Sequence, residues 1–175
     1  MWRANTICLV GLMGSGKTTV GRLLAKKMGA VFFDSDHEIE HRTRVSIPTI
    51  FEIEGEKGFR QRESEVVVEL LRRGGCVLAT GGGAVLNEAT RSALHACAWT
   101  VYLDVPARLL YERTRHDTNR PLLQVKNPLA RLEALRVERD PIYRDVADFV
   151  LDGERYHSGA AASRILKEWQ KCTGN

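Results

Sequence analysis

Two kinds of segment alternate along this chain. Short apolar runs recur at 6–10, 30–34, 76–79, 100–104 and 149–151, each of strand length. Between them lie stretches with helical spacing. Val20, Leu23, Leu24 and Met28 share one face, Val66, Val67, Leu70 and Leu71 another, and Leu129, Leu132 and Leu135 a third. This alternation predicts an α/β domain in which a parallel sheet is covered by helices. Punctuation sharpens the boundaries. Ser46 caps a short helix over 46–53 with Pro48 in its first turn, Gly55 breaks it, and a longer helix follows over 58–73. Asn87 caps a helix reaching about residue 95, and another spans 106–114. The stretch 129–140 is helical until Pro141 bends the path, and a closing helix covers 160–169.

Composition narrows the class. With 175 residues, 43% apolar and 27% charged, the chain has the size and balance of one globular domain. No apolar run approaches the roughly 20 residues that span a bilayer, and the first residues lack a secretory pattern, so no membrane association is expected. Cys8, Cys76, Cys97 and Cys172 are scattered, without a C-x-x-C pair. They read as thiols in a reducing cytoplasm, not as a disulfide or zinc framework. The five histidines show no metal-ligand spacing. A net charge of +4 permits nucleic-acid binding, yet the arginines are dispersed and no aromatic-basic alternation forms a single-strand platform. Arginines are better used in a pocket for anionic substrates.

The chemistry begins at Gly11-Leu12-Met13-Gly14-Ser15-Gly16-Lys17-Thr18, a G-x-x-x-x-G-K-[ST] phosphate loop between the first strand and first helix. Gly14 and Gly16 let the backbone take positive φ and turn N–H groups onto an anion. The helix N-terminus adds partial positive charge. Lys17 would reach the outer phosphates and the Thr18 hydroxyl would be a magnesium ligand. The chain is therefore expected to bind a nucleoside triphosphate.

Other candidates cluster at predicted strand ends, where a parallel sheet opens its ligand crevice. Asp34 and Asp36 follow the second strand. One would hold magnesium through water and the other would orient or deprotonate a hydroxyl; the competing structural role is Asp36 as a helix cap. Arg60 is either a solvated side chain or an anion anchor turned into the crevice. Thr80-Gly81-Gly82-Gly83 holds more glycines than a turn needs, which points to close backbone approach. Asp104 is either a magnesium-site acid or the cap of the next helix. The polar, basic segment 113–123 suits a mobile lid carrying arginine to a transferring phosphoryl group.

Taken together, these residues resemble the shikimate kinase family, within the nucleoside-monophosphate-kinase-like phosphate-loop proteins. The likeness covers nearly the whole chain. It rests on G-L-M-G-S-G-K-T-T-V-G (11–21), F-D-S-D (33–36), F-R (59–60), T-G-G-G-A-V (80–85), N-R-P-L-L (119–123) and R-D-P-I-Y-R (139–144). The resemblance implies a three-layer α/β/α fold whose five-stranded parallel sheet has the order 2-3-1-4-5. It implies ATP-dependent phosphorylation of the 3-hydroxyl of shikimate, on the way to chorismate and the aromatic amino acids, by a cytoplasmic monomer using one Mg2+. Asp36 would be the candidate base and contact substrate hydroxyls, with Lys17 and Arg120 as its catalytic companions. Arg60 and Arg144 would clamp the carboxylate, and the Gly82 backbone would meet a hydroxyl. Thr18 and, through water, Asp34 would hold magnesium. Gly14, Ser15, Gly16, Lys17, Thr18 and Thr19 would bind ATP, with Arg120 as the lid arginine and Arg113 against adenine. Residues 35–62 would form the substrate-binding segment and 115–127 the lid of a single domain spanning 1–175.

Two features depart from the family pattern. Gly58 stands where an acidic residue is more usual, leaving Glu63 to orient Arg60. The segment 153–159 matches the adenine loop only weakly. The competing functions are a gluconate-type or nucleotide kinase and a phosphate-loop switch. The switch requires N-K-x-D and D-x-x-G motifs, which the chain lacks.

Overall fold

A computed structural model describes residues 5–117 and 120–174. Strands β1 (Ile7–Val10), β2 (Val31–Asp34), β3 (Cys76–Ala79), β4 (Trp99–Asp104) and β5 (Phe149–Asp152) form one sheet of order β2-β3-β1-β4-β5. Every pairing is parallel, so each connection must cross over the sheet, and helices supply the crossovers. They are α1 (Lys17–Met28), α2 (Ser35–Thr43), α3 (Ile47–Arg73), α4 (Glu88–Cys97), α5 (Ala107–Thr114), α6 (Pro128–Val146) and α7 (Ser158–Thr173). Both the layering and the strand order agree with the expectation.

β1 lies at the centre, and its alternation divides the core. Ile7 and Leu9 point to the layer containing Val20 and Leu24 of α1 and Ile165 of α7. Cys8 and Val10 point to the opposite layer, with Val67 and Leu70 of α3, Leu94 of α4, Leu110 of α5 and Leu132 and Leu135 of α6. All four β1 side chains are fully buried, at about 2 kcal/mol for each large aliphatic one. That burial anchors the loop leaving the carboxyl end of β1, at the point where successive strands diverge to either side.

Gly55, with φ of 70° and ψ of 179°, is non-helical and divides Ile47–Arg73 into two helices that meet at a kink, as expected. Two local details differ from the sequence expectation. The cap of α2 is Asp34, not Asp36; its side chain accepts from the N–H groups of Asp36 and His37. Asp104 does not cap α5; Pro106 stands at its N-cap, with no side-chain cap bond. By contrast, Ser46 accepts from Thr49 N–H and Asn87 from Ala89 N–H as capping residues.

α6 also runs further than its sequence suggested. It continues through Pro141 to Val146. Proline removes one backbone hydrogen bond, at a cost near 3 kcal/mol in a regular helix. Here the residue four positions earlier, Val137, is 79% exposed, so the orphaned carbonyl lies on the solvent side. A buried stripe of Leu132, Leu135, Arg139, Tyr143 and Val146 spans the proline and ties the helix to the core.

Candidate active site

The phosphate loop has the backbone an anion needs. Gly14 and Gly16 have φ of 81° and 94°, in the left-handed region that side chains disfavour. Lys17, at the first turn of α1, is buried and folded back onto the loop. Its Nζ donates to the carbonyls of Gly11 (2.7 Å) and Leu12 (2.9 Å) and to Ser15 Oγ (3.3 Å). Burial, reinforced by the neighbouring Arg120 guanidinium, brings the ammonium pKa down to about 8. The cation is thus held by neutral carbonyls at the mouth of an anion cradle. Thr19, two residues on, lines the same groove.

Beside the loop, Thr18 Oγ1 donates to Asp34 Oδ2 at 2.6 Å. Asp34 Oδ1 is occupied in capping α2, receiving Asp36 N–H at 3.1 Å and His37 N–H at 3.3 Å. The carboxylate therefore has a fixed orientation, with one oxygen against the threonine hydroxyl. This donor set fits magnesium, a hard cation that takes few protein oxygens and completes its shell with water and phosphate. Among the described residues no group of three or more His, Cys, Asp or Glu side chains forms a cage of its own.

Next to this groove lies a second cavity, walled by Asp36, Phe59, Arg60, Glu63, Gly82 and Leu122. Asp36 reaches both spaces, as do Met13, Gly82 and Arg120. The Asp36 carboxyl is pushed above its usual range by burial and then by Asp34, against the pull of Lys17 and Arg120. Its Oδ1 has no hydrogen-bond partner. Glu63, fully buried on α3, donates nothing and accepts from Arg60 Nη1 at 2.6 Å through Oε2, while Oε1 is unpaired. Burial lifts its pKa to about 7. Arg60 also reaches Glu56 at 3.4 Å, lies 5.2 Å from the Phe59 ring centroid, and keeps Nε unpaired. Arg60 is thus not a solvated side chain, and Glu63 supplies the acidic neighbour that Gly58 does not.

The triple glycine is the floor on which these charges sit. A methyl group at Gly81 would fall 2.1 Å from Glu63 Oε1, and one at Gly83 would fall 2.2 Å from the Arg60 guanidinium carbon. Gly82 packs against the phosphate loop, 3.3 Å from Met13 N to the position of an added Cβ. Close approach, not turn flexibility, accounts for the repeat.

The structure separates the two arginines of R-D-P-I-Y-R in a way the sequence reading did not. Arg144 is turned away from the cavity. Its Nε donates to Asp140 at 2.8 Å, its Nη2 to Asp104 at 2.6 Å, and its guanidinium lies 5.5 Å over Tyr102. The expected carboxylate clamp by Arg144 is therefore corrected: its fork is already filled by two aspartates, and its side chain is 46% exposed. Asp104 is likewise committed, to Arg144 and to Arg136 at 2.7 Å. Five positions on a helix are about 140° of rotation apart, so Arg139 faces the other way. It is 2% exposed, beside Glu63 and Tyr143, with Nε and Nη1 unpaired. The signal was the leucine stripe of α6, since Leu132, Leu135 and Arg139 share one helical phase ahead of Pro141.

Two sequence candidates lie toward the lid. Arg120 donates to Asp117 at 2.9 Å and lines both cavities. Arg113 donates to the Gly14 carbonyl at 3.2 Å and borders a groove with Gly16, Thr19, Gly153, Tyr156 and His157. Thr118 and Asn119, part of the lid motif, lie outside the described residues.

Known proteins share this arrangement. The family model described as shikimate kinase matches residues 13–170. A shikimate kinase of Dechloromonas aromatica is 56% identical over 167 residues, covering 95% of this chain and 91% of the relative. One of Aromatoleum aromaticum is 57% identical over 164 residues, with 94% of each chain covered. The solved shikimate kinase of Acinetobacter baumannii, in complex with shikimate, superposes with a TM-score of 0.89 at 49% identity, covering 98% of this chain and 94% of that one. A phosphate loop, a central β1 in a 2-3-1-4-5 sheet and a second, arginine-walled cavity thus come together with identity over nearly the full length: this chain belongs to the shikimate kinase family.

Proposed function

We propose that this chain transfers the γ-phosphoryl group of ATP to the 3-hydroxyl of shikimate, giving shikimate 3-phosphate and ADP on the route to aromatic amino acids. One observation carries the reading. Arg60, with an unpaired buried donor, and Asp36 and Glu63, with unpaired buried acceptors, line one small cavity beside the phosphate loop, and the unpaired donors of buried Arg139 lie on the Glu63 side of it. Buried polar atoms are normally satisfied. A ligand that satisfies both kinds carries a carboxylate for the guanidinium forks and hydroxyls for the carboxylates.

The phosphoryl donor lies along the Gly14–Thr19 loop, with adenine between Arg113 and the Tyr156–His157 side of the groove. Thr18 and, through water, Asp34 would hold magnesium, which would supply positive charge to offset that of the phosphates. Lys17 leaves its loop carbonyls for the transferring phosphate, and Arg120 meets the same phosphate from the lid. Asp36 receives the hydroxyl that attacks. Its raised proton affinity suits a hydrogen-bond acceptor that takes the proton as the bond to phosphorus forms. Arg60 and Arg139 orient the acceptor through its carboxylate, in place of the Arg60–Arg144 pair. Residues 35–62 supply Asp36, Ile47, Phe51, Phe59 and Arg60 to the acceptor cavity, and 115–127 act as the lid.

The protein works as a cytoplasmic monomer. Among the described residues no helix is long and apolar enough to cross a membrane. Gluconate would also present a carboxylate and hydroxyls to this cavity; the family match is what favours shikimate.

The role of Asp36 is tested by Asp36→Asn. We expect kcat to fall at least about 100-fold, the scale of a lost acid-base group, with ATP affinity within about twofold of the wild type. An unchanged kcat would remove Asp36 from the chemistry.

A further inference from the structure

We infer that Ser35 is a positioning residue for phosphoryl transfer: its hydroxyl holds the Gly81 backbone and so fixes the Asp36 carboxyl against the glycine floor of the acceptor cavity. The inference rests on the reading of Asp36 as the group that receives the attacking hydroxyl, and adds what keeps that group in register.

Ser35 stands between two acids that both face the site. It is the first residue of α2 and is fully buried. A buried hydroxyl needs a partner. Ser35 Oγ finds one in the loop after β3, where it accepts from the Gly81 N–H at 2.9 Å. The need for that bond follows from the sheet. β2 and β3 pair in parallel as far as Asp34 and Ala79, and there the chain turns into α2. Past that turn β2 offers no further strand carbonyl to the loop, and a buried N–H is costly to leave unpaired. The serine hydroxyl supplies the missing acceptor.

What this bond holds in place is part of the site. Gly81 lines both the nucleotide groove and the acceptor cavity. A Cβ added there would fall 2.9 Å from Asp36 Oδ1 and 2.1 Å from Glu63 Oε1, and both oxygens are buried without a partner. Small shifts of the Gly81 backbone therefore change the space in front of both carboxyls. The floor has two ties. Thr80 donates through its N–H and its Oγ1 to the Leu9 carbonyl, each at 3.2 Å, which fastens it to β1. Ser35 fastens it to α2, the helix that carries Asp36. Removing the serine hydroxyl releases the second tie alone. The contacts of Asp34 with Thr18 Oγ1 and with the N–H groups of Asp36 and His37 do not pass through the serine side chain. The nucleotide side of the site should thus be spared.

Ser35→Ala tests this, with Ser35→Thr, which keeps a hydroxyl, Asp36→Asn and the Ser35→Ala/Asp36→Asn double variant measured alongside. For Ser35→Ala we expect kcat to fall about tenfold, as for loss of one buried hydrogen bond. The ATP KM and the magnesium requirement should stay within about twofold of the wild type, with calorimetric melting still cooperative. Ser35→Thr should restore kcat to within about threefold. In the Asp36→Asn background, Ser35→Ala should add less than about twofold, because the two act through one carboxyl. An unchanged kcat in Ser35→Ala would overturn the inference. So would a rise in ATP KM as large as the fall in kcat, a Ser35→Ala protein that no longer melts cooperatively, a Ser35→Thr variant no better than Ser35→Ala, or fully multiplicative losses in the double variant. Should Asp36→Asn itself leave kcat unchanged, the reading of Asp36 is what fails, and the serine proposal goes with it.

Discussion

At the scale of single residues, the site is governed by which charges are buried and which are already paired. Arg139 and Arg144 make the contrast. The first is buried with free donors, the second half-exposed between Asp104 and Asp140. Arg139→Ala should weaken shikimate binding by about 1.5–3 kcal/mol, the value of a charged hydrogen bond. Arg144→Ala should leave the shikimate KM unchanged and cost at most about 1 kcal/mol of stability, as surface ion pairs do. Steady-state kinetics and thermal unfolding of the two variants read this directly, and a KM effect confined to Arg144→Ala would reverse the assignment. Lys17 gives a pH prediction. Its pKa of about 8 in the free protein must rise once phosphates surround it, so above pH 8 the nucleotide complex binds more protons than the free protein. ATP affinity should therefore decline as pH climbs through 8, by up to about tenfold per unit. Calorimetric titration between pH 7 and 9.5 checks it, and a flat profile contradicts it.

At the scale of elements, one side chain often serves two purposes, and there sequence reading succeeds only in part. The β1–loop–α1 unit was legible because spacing, glycines and flanking periodicity all converge within residues 6–28. The α2 cap was not, since Asp34 and Asp36 are both reasonable caps and tertiary contact with Thr18 decides which one turns inward. α6 was cut short because Pro141 is a helix breaker locally, whereas burial of Tyr143 and Val146 beyond it holds the helix together. That truncation left Arg144 without a helical phase, whereas Arg139 already shared the phase of Leu132 and Leu135 within 129–140. The glycine triplet announced close contact, but only the fold reveals that Glu63 and Arg60 are what it approaches. Asp34 allows its two roles to be separated. Asp34→Asn keeps a capping oxygen while removing the charge, so melting should stay near the wild type while the magnesium concentration for half-maximal activity rises several-fold. Asp34→Ala should also lose about 1 kcal/mol of stability with the cap. Equal magnesium requirements in wild type and Asp34→Asn would remove the aspartate from the metal site.

At the scale of the molecule, the parallel sheet brings distant segments to one edge. The carboxyl ends of β1, β2 and β3 deliver the phosphate loop, the Asp34–Asp36 pair and the glycine floor, and α3 and α6 bring arginines in from the same side of the sheet. Arg120 stands where the nucleotide groove and the acceptor cavity meet, so the geometry couples donor to acceptor through one side chain. The central claim is that this edge joins ATP to shikimate. It is tested most directly by following ADP release from the purified protein with ATP and magnesium, offering shikimate, gluconate or a nucleoside monophosphate in parallel. The account predicts ADP release that depends on shikimate and is absent with the other two. ADP release with gluconate or a nucleotide but not with shikimate would contradict it.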